Sequence, residues 1–124
     1  MSGLAVKVDQ VAALRAVRKS QIPDPVTAAA VADLAGADGI IVHLYQNRRH
    51  IKDRDVRILR SVVQSKLILE MASTSEMIGV ALDIKPDLVT LVPERREEFT
   101  SEGGLDLIVH RDDISETVAT LQNS

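Results

Sequence analysis

Four short apolar runs, each about the length of a β-strand, alternate along the chain with longer segments whose apolar residues recur at helical spacing. The runs lie at residues 4–8, 39–43, 66–71 and 88–92. Valine and isoleucine are abundant in the first, second and fourth runs, as they are in buried strands. Strands that alternate with helices are typical of βαβ units, so the pattern predicts an α/β fold with a parallel sheet.

The first well-marked helix is predicted to begin at Asp24 and Pro25. Aspartate is a favoured N-cap, and proline fits the first helical position because the N–H that it lacks would have no helical partner there. Gly36 is expected to end this helix, since glycine readily adopts the left-handed conformation that follows a helix. The preceding connection, residues 9–22, is predicted to contain a helical turn of its own before Pro23.

Three more helices follow from similar signals. Asp53 is a candidate N-cap for the second, and Ser73 with Glu76 has the spacing of a capping box for the third. Pro86 ends that third helix, because a residue that precedes proline is disfavoured in the helical conformation. A last amphipathic stretch covers residues 113–122.

The composition excludes several classes of protein. The net charge of −3 argues against a general nucleic-acid-binding role, and the absence of cysteine excludes disulfides and thiolate metal sites. No run approaches the roughly 20 apolar residues of a membrane helix, and the first residues lack the apolar stretch of a signal peptide. We therefore expect a cytoplasmic protein. Since aromatic residues make up only 2% of the chain, its core must consist of aliphatic side chains.

Polar residues with catalytic chemistry follow the predicted strands. Asp9 follows the first, His43 ends the second, Glu70 lies near the end of the third, and Pro93–Glu94 follows the fourth. The carboxyl ends of parallel strands carry the functional groups of such folds. A histidine and a buried glutamate tuned towards neutral pH can transfer protons at carbon or promote dehydration.

Structural roles are the alternative for each of these residues. A histidine at a strand end is often a structural residue, and Glu70 among apolar neighbours can form a salt bridge. Asp9 can accept backbone hydrogen bonds at a turn. These alternatives stay open at the level of the sequence.

The segment from Asn47 to Arg54, here called the basic loop, leads into a predicted helix N-terminus. Guanidinium groups and free backbone N–H donors together favour a phosphate. The alternative is a solvated charged surface, which is the usual outcome for most such residues. Arg15 and Arg18, after the first strand, raise the same question.

A long polar connection, residues 93–104, ends in the pair Gly103 and Gly104. Such a loop at the active rim is either a lid with a glycine hinge or a surface loop without a role in catalysis. The sequence contains no zinc-ligand spacing, P-loop, dinucleotide fingerprint or nucleophile elbow.

Several strings of the sequence together resemble the pyridoxine 5′-phosphate synthase family. They run collinearly across almost the whole chain: Asp24-Pro25-Val26, Ala35 to Ile40, Val42-His43-Leu44, Asn47 to Ile51, Asp53 to Arg57, Leu69-Glu70-Met71, Lys85-Pro86, Leu91 to Glu94, and Thr100 to Asp106. The resemblance implies a (β/α)₈ barrel that condenses 1-deoxyxylulose 5-phosphate with 3-amino-2-oxopropyl phosphate, releasing phosphate and water.

By this resemblance His43 and Glu70 match two general acid/base residues. The matches to substrate-binding positions are His50 and Thr100 for the deoxyxylulose phosphate, Arg18 for the phosphate of the aminoketone, and Asp9 on the first strand. The segment 93–104 corresponds to the lid of the family. The resemblance implies phosphorylated small molecules as ligands, and we expect no metal ion and no cofactor.

Three positions depart from the family pattern. The family usually reads Asn-x-Asp-His after the first strand, whereas this chain has Lys7 and Gln10 at the first and last of these positions. Glutamine cannot transfer protons as histidine does. Tyr45 stands where the family usually has a substrate-holding arginine, and the loss of a bidentate cation is not conservative.

Residues 1–124 are expected to form one truncated barrel domain of about four βα units. This sequence has no counterpart of the histidine, the glutamate and the glycine-rich phosphate site that the family carries on later strands. An open half-barrel exposes its inner face and a sheet edge, so a partner is predicted: a second copy or a complementary C-terminal half. The alternatives to a synthase are a non-catalytic half-barrel that self-associates or binds phosphorylated ligands, and, more remotely, another lyase or isomerase.

Overall fold

A computed structural model describes residues 2–94 and 104–124 of the chain. Within them the elements run in the order β1 (Ala5–Lys7), α1 (Asp9–Arg18), α2 (Pro25–Leu34), β2 (Gly39–His43), α3 (Asp53–Val62), β3 (Lys66–Met71), α4 (Ser75–Ile84), β4 (Leu88–Leu91) and α5 (Arg111–Gln122). None of the helices in these residues is long and apolar enough to span a membrane.

The four strands form one open parallel sheet in the order β1-β2-β3-β4. The burial of β3 alternates as expected for a sheet that is covered on one side. Leu67, Leu69 and Met71 are fully buried in the core with the helices, whereas Ile68 and Glu70 between them are partly exposed. This architecture confirms the predicted α/β half-barrel.

The core is aliphatic, as the composition requires. Its fully buried large side chains include Ile40, Leu44, Leu59, Leu67 and Met77, which come from the sheet, its loops and the covering helices. Burial of an aliphatic side chain of this size contributes about 1.5–3 kcal/mol. Because this core lies on one face of the sheet, it holds the carboxyl ends of the strands in register.

Several helix boundaries differ from the sequence-based predictions. The expected turn within residues 9–22 is a full ten-residue helix, α1. Asp24 caps α2 as predicted, accepting a hydrogen bond from the backbone N–H of Val26 at 2.9 Å. Gly36 follows the end of α2 with φ of 100°, which also confirms its predicted role.

Two predicted N-caps are wrong by one residue. The N-cap of α3 is Lys52 rather than Asp53, because Asp55 already accepts the backbone N–H of Lys52 at 2.8 Å. The N-cap of α4 is Thr74 rather than Ser73, since the hydroxyl of Thr74 accepts the backbone N–H of Met77. Runs of neighbouring hydroxyl or acidic residues offer more than one cap, and the tertiary structure selects among them.

Candidate functional site

The parallel register brings the predicted acid/base residues together at the carboxyl ends of β1, β2 and β3. His43 and Glu70 are paired across β2 and β3, and Asp9 begins α1 directly after β1. One carboxylate oxygen of Asp9, one ring nitrogen of His43 and one carboxylate oxygen of Glu70 all lie within 4.8 Å of one another. The structure therefore places the carboxylates and the imidazole in one cluster, here called the acid/base cluster.

Asp9 fixes the end of β2 from the neighbouring strand. Its carboxylate oxygens accept the backbone N–H of His43 at 3.0 and 3.2 Å, and the residue is only 6% exposed. Burial raises the pKa of Asp9, although the hydrogen bond from His43 and the charge of Lys7 act in the opposite direction. The structural alternative, a carboxylate that accepts a backbone hydrogen bond, is thus realised, and the substrate contact of Asp9 stays a prediction.

His43 is fully buried and uses only one of its ring nitrogens within the described residues. Its Nε2 lies 2.9 Å from Oε2 of Glu94, which follows β4. Its Nδ1 has no hydrogen-bond partner in the part of the chain that the structure describes. The nearest carboxylate oxygen of Glu70 is 3.9 Å away, which is too long for a hydrogen bond.

Lys7 completes the acid/base cluster. Its ammonium lies 2.7 Å from Oε1 of Glu70 and 3.7 Å from Oδ2 of Asp9. Partial burial opposes protonation, but the hydrogen bond to Glu70 and the charge of Asp9 prevail and raise the pKa of Lys7. Lys7 is therefore a charged partner of the two carboxylates at neutral pH.

Tyr45 packs its ring between the acid/base cluster and the basic loop. The Tyr45 and His43 rings are stacked, with centroids 3.8 Å apart and planes 11° from parallel. The guanidinium carbon of Arg49 lies 3.9 Å from the centre of the same tyrosine ring. At these distances the imidazole of His43 and the guanidinium of Arg49 cannot lie on the same face of the tyrosine ring, so the ring is sandwiched between them.

Arg48 and Arg54 of the basic loop form internal ion pairs. Arg48 contacts Asp53 at 2.7 Å and Glu76 at 2.9 Å, and Arg54 contacts the buried Asp55 at 2.8 Å. These guanidinium groups stabilise the start of α3 and the approach to α4. The interpretation of the loop as an internally paired charged surface therefore fits Arg48 and Arg54 better than phosphate binding.

His50 is better placed for a ligand than its neighbours. The residue is partly buried, and its ring meets the edge of Tyr45 at 6.0 Å between centroids. Burial, together with the charges of Arg49 and Lys52, lowers the pKa of His50. His50 is thus a neutral hydrogen-bonding group at pH 7, beside the stacked rings.

Other predicted residues lie outside the acid/base cluster. Gln10 and Arg18 are exposed on α1, and Arg18 is in its last turn. A helix of this length separates Arg18 from Asp9 by roughly 14 Å along the axis. Thr100 and the predicted hinge residue Gly103 lie outside the described residues.

Two open clefts border this region. One, of about 360 Å³, lies beside Glu94 and is also lined by Gln46, Thr74 and His110. The other, of about 500 Å³, is lined by residues 15, 20–22, 24 and 54 and shares no residue with the acid/base cluster. Only the first cleft borders a group that contacts His43.

Three features of the site were not predicted from the sequence. Glu94 was placed at the rim but not paired with His43, and Lys7 was treated as an altered position rather than as a partner of Glu70. The buried pair of Arg15 and Asp55 was not foreseen either. The signal available in advance was the position of Glu94 directly after a strand that lies beside β3.

Comparison with known proteins matches the chain over nearly its full length. The family model of the pyridoxal phosphate biosynthesis protein PdxJ matches residues 4–124. Three similar curated proteins are named pyridoxine 5′-phosphate synthase: that of Desulfatibacillum aliphaticivorans is 62% identical over 98% of this chain, that of Syntrophobacter fumaroxidans 59% over 98%, and that of Nostoc punctiforme 60% over 100%. The chain spans about half the length of these relatives, 51–52%.

Proposed function

Because this chain belongs to the PdxJ family, we propose that it supplies the first half of the active site of a pyridoxine 5′-phosphate synthase. The reaction is the condensation of 1-deoxy-D-xylulose 5-phosphate with 3-amino-2-oxopropyl phosphate, which makes the protein a transferase. The observation that carries the proposal is the acid/base cluster at the carboxyl ends of β1 to β3. A cluster in this place is typical of barrel enzymes.

In this proposal His43 removes a proton from the substrate and Glu70 assists the proton transfers of ring closure and dehydration. His43 suits the first role because it is buried and its Nδ1 has no hydrogen-bond partner among the described residues. Glu70 lies 3.9 Å from that nitrogen, close enough for both groups to reach one small substrate. His50, Arg18 and Thr100 are the proposed contacts to phosphate groups, with Asp9 beside the substrate.

The proposed assembly is a closed barrel that needs a second half. The face of the sheet opposite the core carries Ile41 and Ile68, which are partly exposed, and Leu88, which is 54% exposed. Within residues 2–94 and 104–124, β1 and β4 are the edge strands of the sheet. Apolar side chains and unpaired edges favour a partner, either a complementary C-terminal half or a second copy.

A reconstitution experiment tests the proposal. This chain is mixed with the C-terminal half of the Desulfatibacillum aliphaticivorans relative, and formation of pyridoxine 5′-phosphate from the two substrates is measured. We expect product from the mixture and little from either part alone. His43→Asn and Glu70→Gln should abolish it, whereas Glu116→Gln on the exposed part of α5 should not.

Two outcomes would overturn parts of the proposal. Unaltered product formation by both site variants would remove the assigned roles. A complex that forms but stays inactive with the unaltered chain would remove the synthase activity. Analytical ultracentrifugation of the chain alone separates the two kinds of partner, because self-association favours a second copy.

A second candidate function is a non-catalytic half-barrel that self-associates or binds phosphorylated ligands. The observation that favours it is the internal use of charge: Lys7 pairs with Glu70, and Arg48 pairs with Asp53. Calorimetric titration of the assembled complex with each substrate, combined with the turnover assay, distinguishes the two functions. Binding by the assembled complex without turnover supports the second candidate.

A further inference from the structure

We propose that Glu94 is a positioning residue that holds His43 in the tautomer with a proton on Nε2, so that Nδ1 is the nitrogen that takes the substrate proton. This inference rests on the proposed function for the identity of the reaction, but the tautomer itself is a property of the chain. Nothing in the sequence motifs of the family assigned a role to Glu94.

Each oxygen of the Glu94 carboxylate has a hydrogen-bond partner. Its Oε2 lies 2.9 Å from Nε2 of His43, and its Oε1 accepts the backbone N–H of Gln46 at 3.0 Å. The side chain is only 9% exposed. A carboxylate held at both oxygens presents one oxygen to the imidazole in a single orientation.

The tautomer of His43 follows from the charge of Glu94. Burial favours the protonated acid, but the hydrogen bonds from His43 and from the N–H of Gln46 prevail and lower the pKa of Glu94. An ionised carboxylate has only acceptors, so Nε2 of His43 must be the donor. The neutral ring then carries its lone pair on Nδ1.

Nδ1 of His43 is buried beside Glu70 and has no hydrogen-bond partner among the described residues. Glu70 Oε1 stands 3.9 Å away and is held at 2.7 Å by the ammonium of Lys7. The ring itself is held by its stack on Tyr45, and the backbone of His43 by the carboxylate of Asp9. At 3.9 Å Glu70 forms no hydrogen bond with Nδ1, which therefore keeps its hydrogen-bonding capacity unused within the described residues.

The chemical step is a proton transfer that the carboxylate of Glu94 assists without changing its own protonation. A C–H bond next to the substrate carbonyl breaks, its electron pair stays on the substrate as an enolate, and the proton forms a bond to Nδ1 of His43. The resulting imidazolium keeps its Nε2–H on Glu94, whose negative charge stabilises it. Aspartate plays the equivalent part beside the histidine of serine proteases.

Nitrogen NMR tests the tautomer directly. The chain has three histidines, so ¹⁵N-histidine labelling gives three ring spin systems, which the variants His50→Asn and His110→Asn assign. At a pH where His43 is neutral we expect a protonated Nε2 and an unprotonated Nδ1. The reverse pattern, or a mixture of both tautomers, would overturn the proposal without touching the synthase assignment.

Glu94→Gln supplies a second readout, because the amide should invert the tautomer. In Glu94→Gln the backbone N–H of Gln46 still needs an acceptor, so the oxygen of the new amide faces Gln46 and its N–H₂ faces Nε2 of His43. Nε2 must then accept a hydrogen bond, and the ring proton lies on Nδ1. We expect an inverted ¹⁵N pattern and, in the reconstituted barrel, a loss of kcat on the order of 10⁴-fold. Glu94→Asp should restore the original tautomer and part of the rate, and Glu116→Gln is the matched control.

The NMR measurement and the kcat assay distinguish failure of the proposed role of Glu94 from failure of the proposed function. An unchanged kcat in an active barrel containing Glu94→Gln would overturn the proposal. If the barrel is inactive with the unaltered chain, the proposed function fails, and the tautomer measurement alone decides the role of Glu94. If Glu94→Gln does not fold, the spectrum of the unaltered chain and the kcat of Glu94→Asp decide it.

Discussion

Replacement of Arg15 by methionine is expected to be one of the most destabilising single changes in this chain. The Arg15 guanidinium donates to both carboxylate oxygens of Asp55 at 2.9 and 2.6 Å and to the backbone carbonyl of His50 at 3.2 Å. Asp55 is fully buried in the first turn of α3. Arg15 therefore ties α1 to α3 and to the residue of the basic loop that is best placed for a ligand.

The magnitude follows from what Arg15→Met leaves behind. Removal of one partner from a buried ion pair typically costs about 3–5 kcal/mol, because the other charge stays buried. Here Asp55 keeps the guanidinium of Arg54 and the backbone N–H of Lys52, and methionine fills most of the apolar volume of arginine. We expect the free energy of unfolding to fall by about 2–3 kcal/mol, a change of Tm on the order of 10 °C.

The pH dependence of this loss has a definite sign. Burial would raise the pKa of Asp55, but the hydrogen bonds from Arg15, Lys52 and Arg54 lower it. A lowered folded-state pKa adds stability that is present above the unfolded value of about 3.9 and is lost as the pH falls through the folded value. The difference between the unaltered chain and Arg15→Met should therefore be full at pH 7 and shrink below about pH 4.

Urea unfolding followed by circular dichroism measures the effect. Arg57→Met, an exposed arginine on the same helix α3, is the matched control and should cost less than about 0.5 kcal/mol. In the Asp55→Asn background, Arg15→Met should cost at least about 1 kcal/mol less, because no buried charge is stranded. A loss from Arg15→Met no larger than that of the control would refute the reasoning.

Three further changes probe the site and the sheet. Lys7→Asn should lower stability at neutral pH by less than about 1 kcal/mol, since Lys7 is half exposed. Because the folded-state pKa of Lys7 is raised, the stability that lysine adds should be full below about pH 10 and be lost as the pH rises through the folded value. Urea unfolding from pH 8 to 12 that showed lysine adding more stability as the pH rises would contradict this. Tyr45→Phe should preserve the ring-current shift of the His43 protons in NMR, whereas Tyr45→Leu should abolish this shift and lower the free energy of unfolding by about 1 kcal/mol. Equal His43 shifts in the two variants would exclude the stack. Gly39→Ala should destabilise the chain by about 1–3 kcal/mol, because the new Cβ would lie 3.2 Å from a backbone carbonyl of β3. Gly79→Ala, in open space on α4, should stabilise the chain by about 0.5–1 kcal/mol. Thermal unfolding that ranked the two variants in the opposite order would disprove the packing argument.

The fold was predictable because its signals are local. The apolar runs fixed the four strands to within a residue or two, and Asp24 with Pro25 marked α2 correctly. The N-cap predictions at Asp53 and Ser73 were wrong by one residue, because Thr74 offers the same capping chemistry as Ser73 and because Asp55 binds the backbone N–H of Lys52 from the first turn of α3. The choice depends on tertiary contacts, such as that of Asp55 with Arg15, which no local pattern records.

The site was predictable only in part. The positions of Asp9, His43 and Glu70 at strand ends were enough to bring them together, because parallel strands in register align their ends. The pairing of His43 with Glu94 depends on side-chain directions across two strands, which the order of residues does not determine. For the same reason Lys7 was recognised as unusual, but its contact with Glu70 was not foreseen.

The order of the strands in the sheet is also their order along the chain, and this has a consequence for how the protein is made. Each strand pairs with the one synthesised just before it, as β2 does with β1 and β3 with β2. Each pairing closes only the connection between consecutive strands, which has a smaller loop-closure cost than pairing with a more distant strand. On the ribosome, each new strand and helix can therefore dock on a finished edge as it emerges, and the acid/base cluster is assembled once β3 has been added.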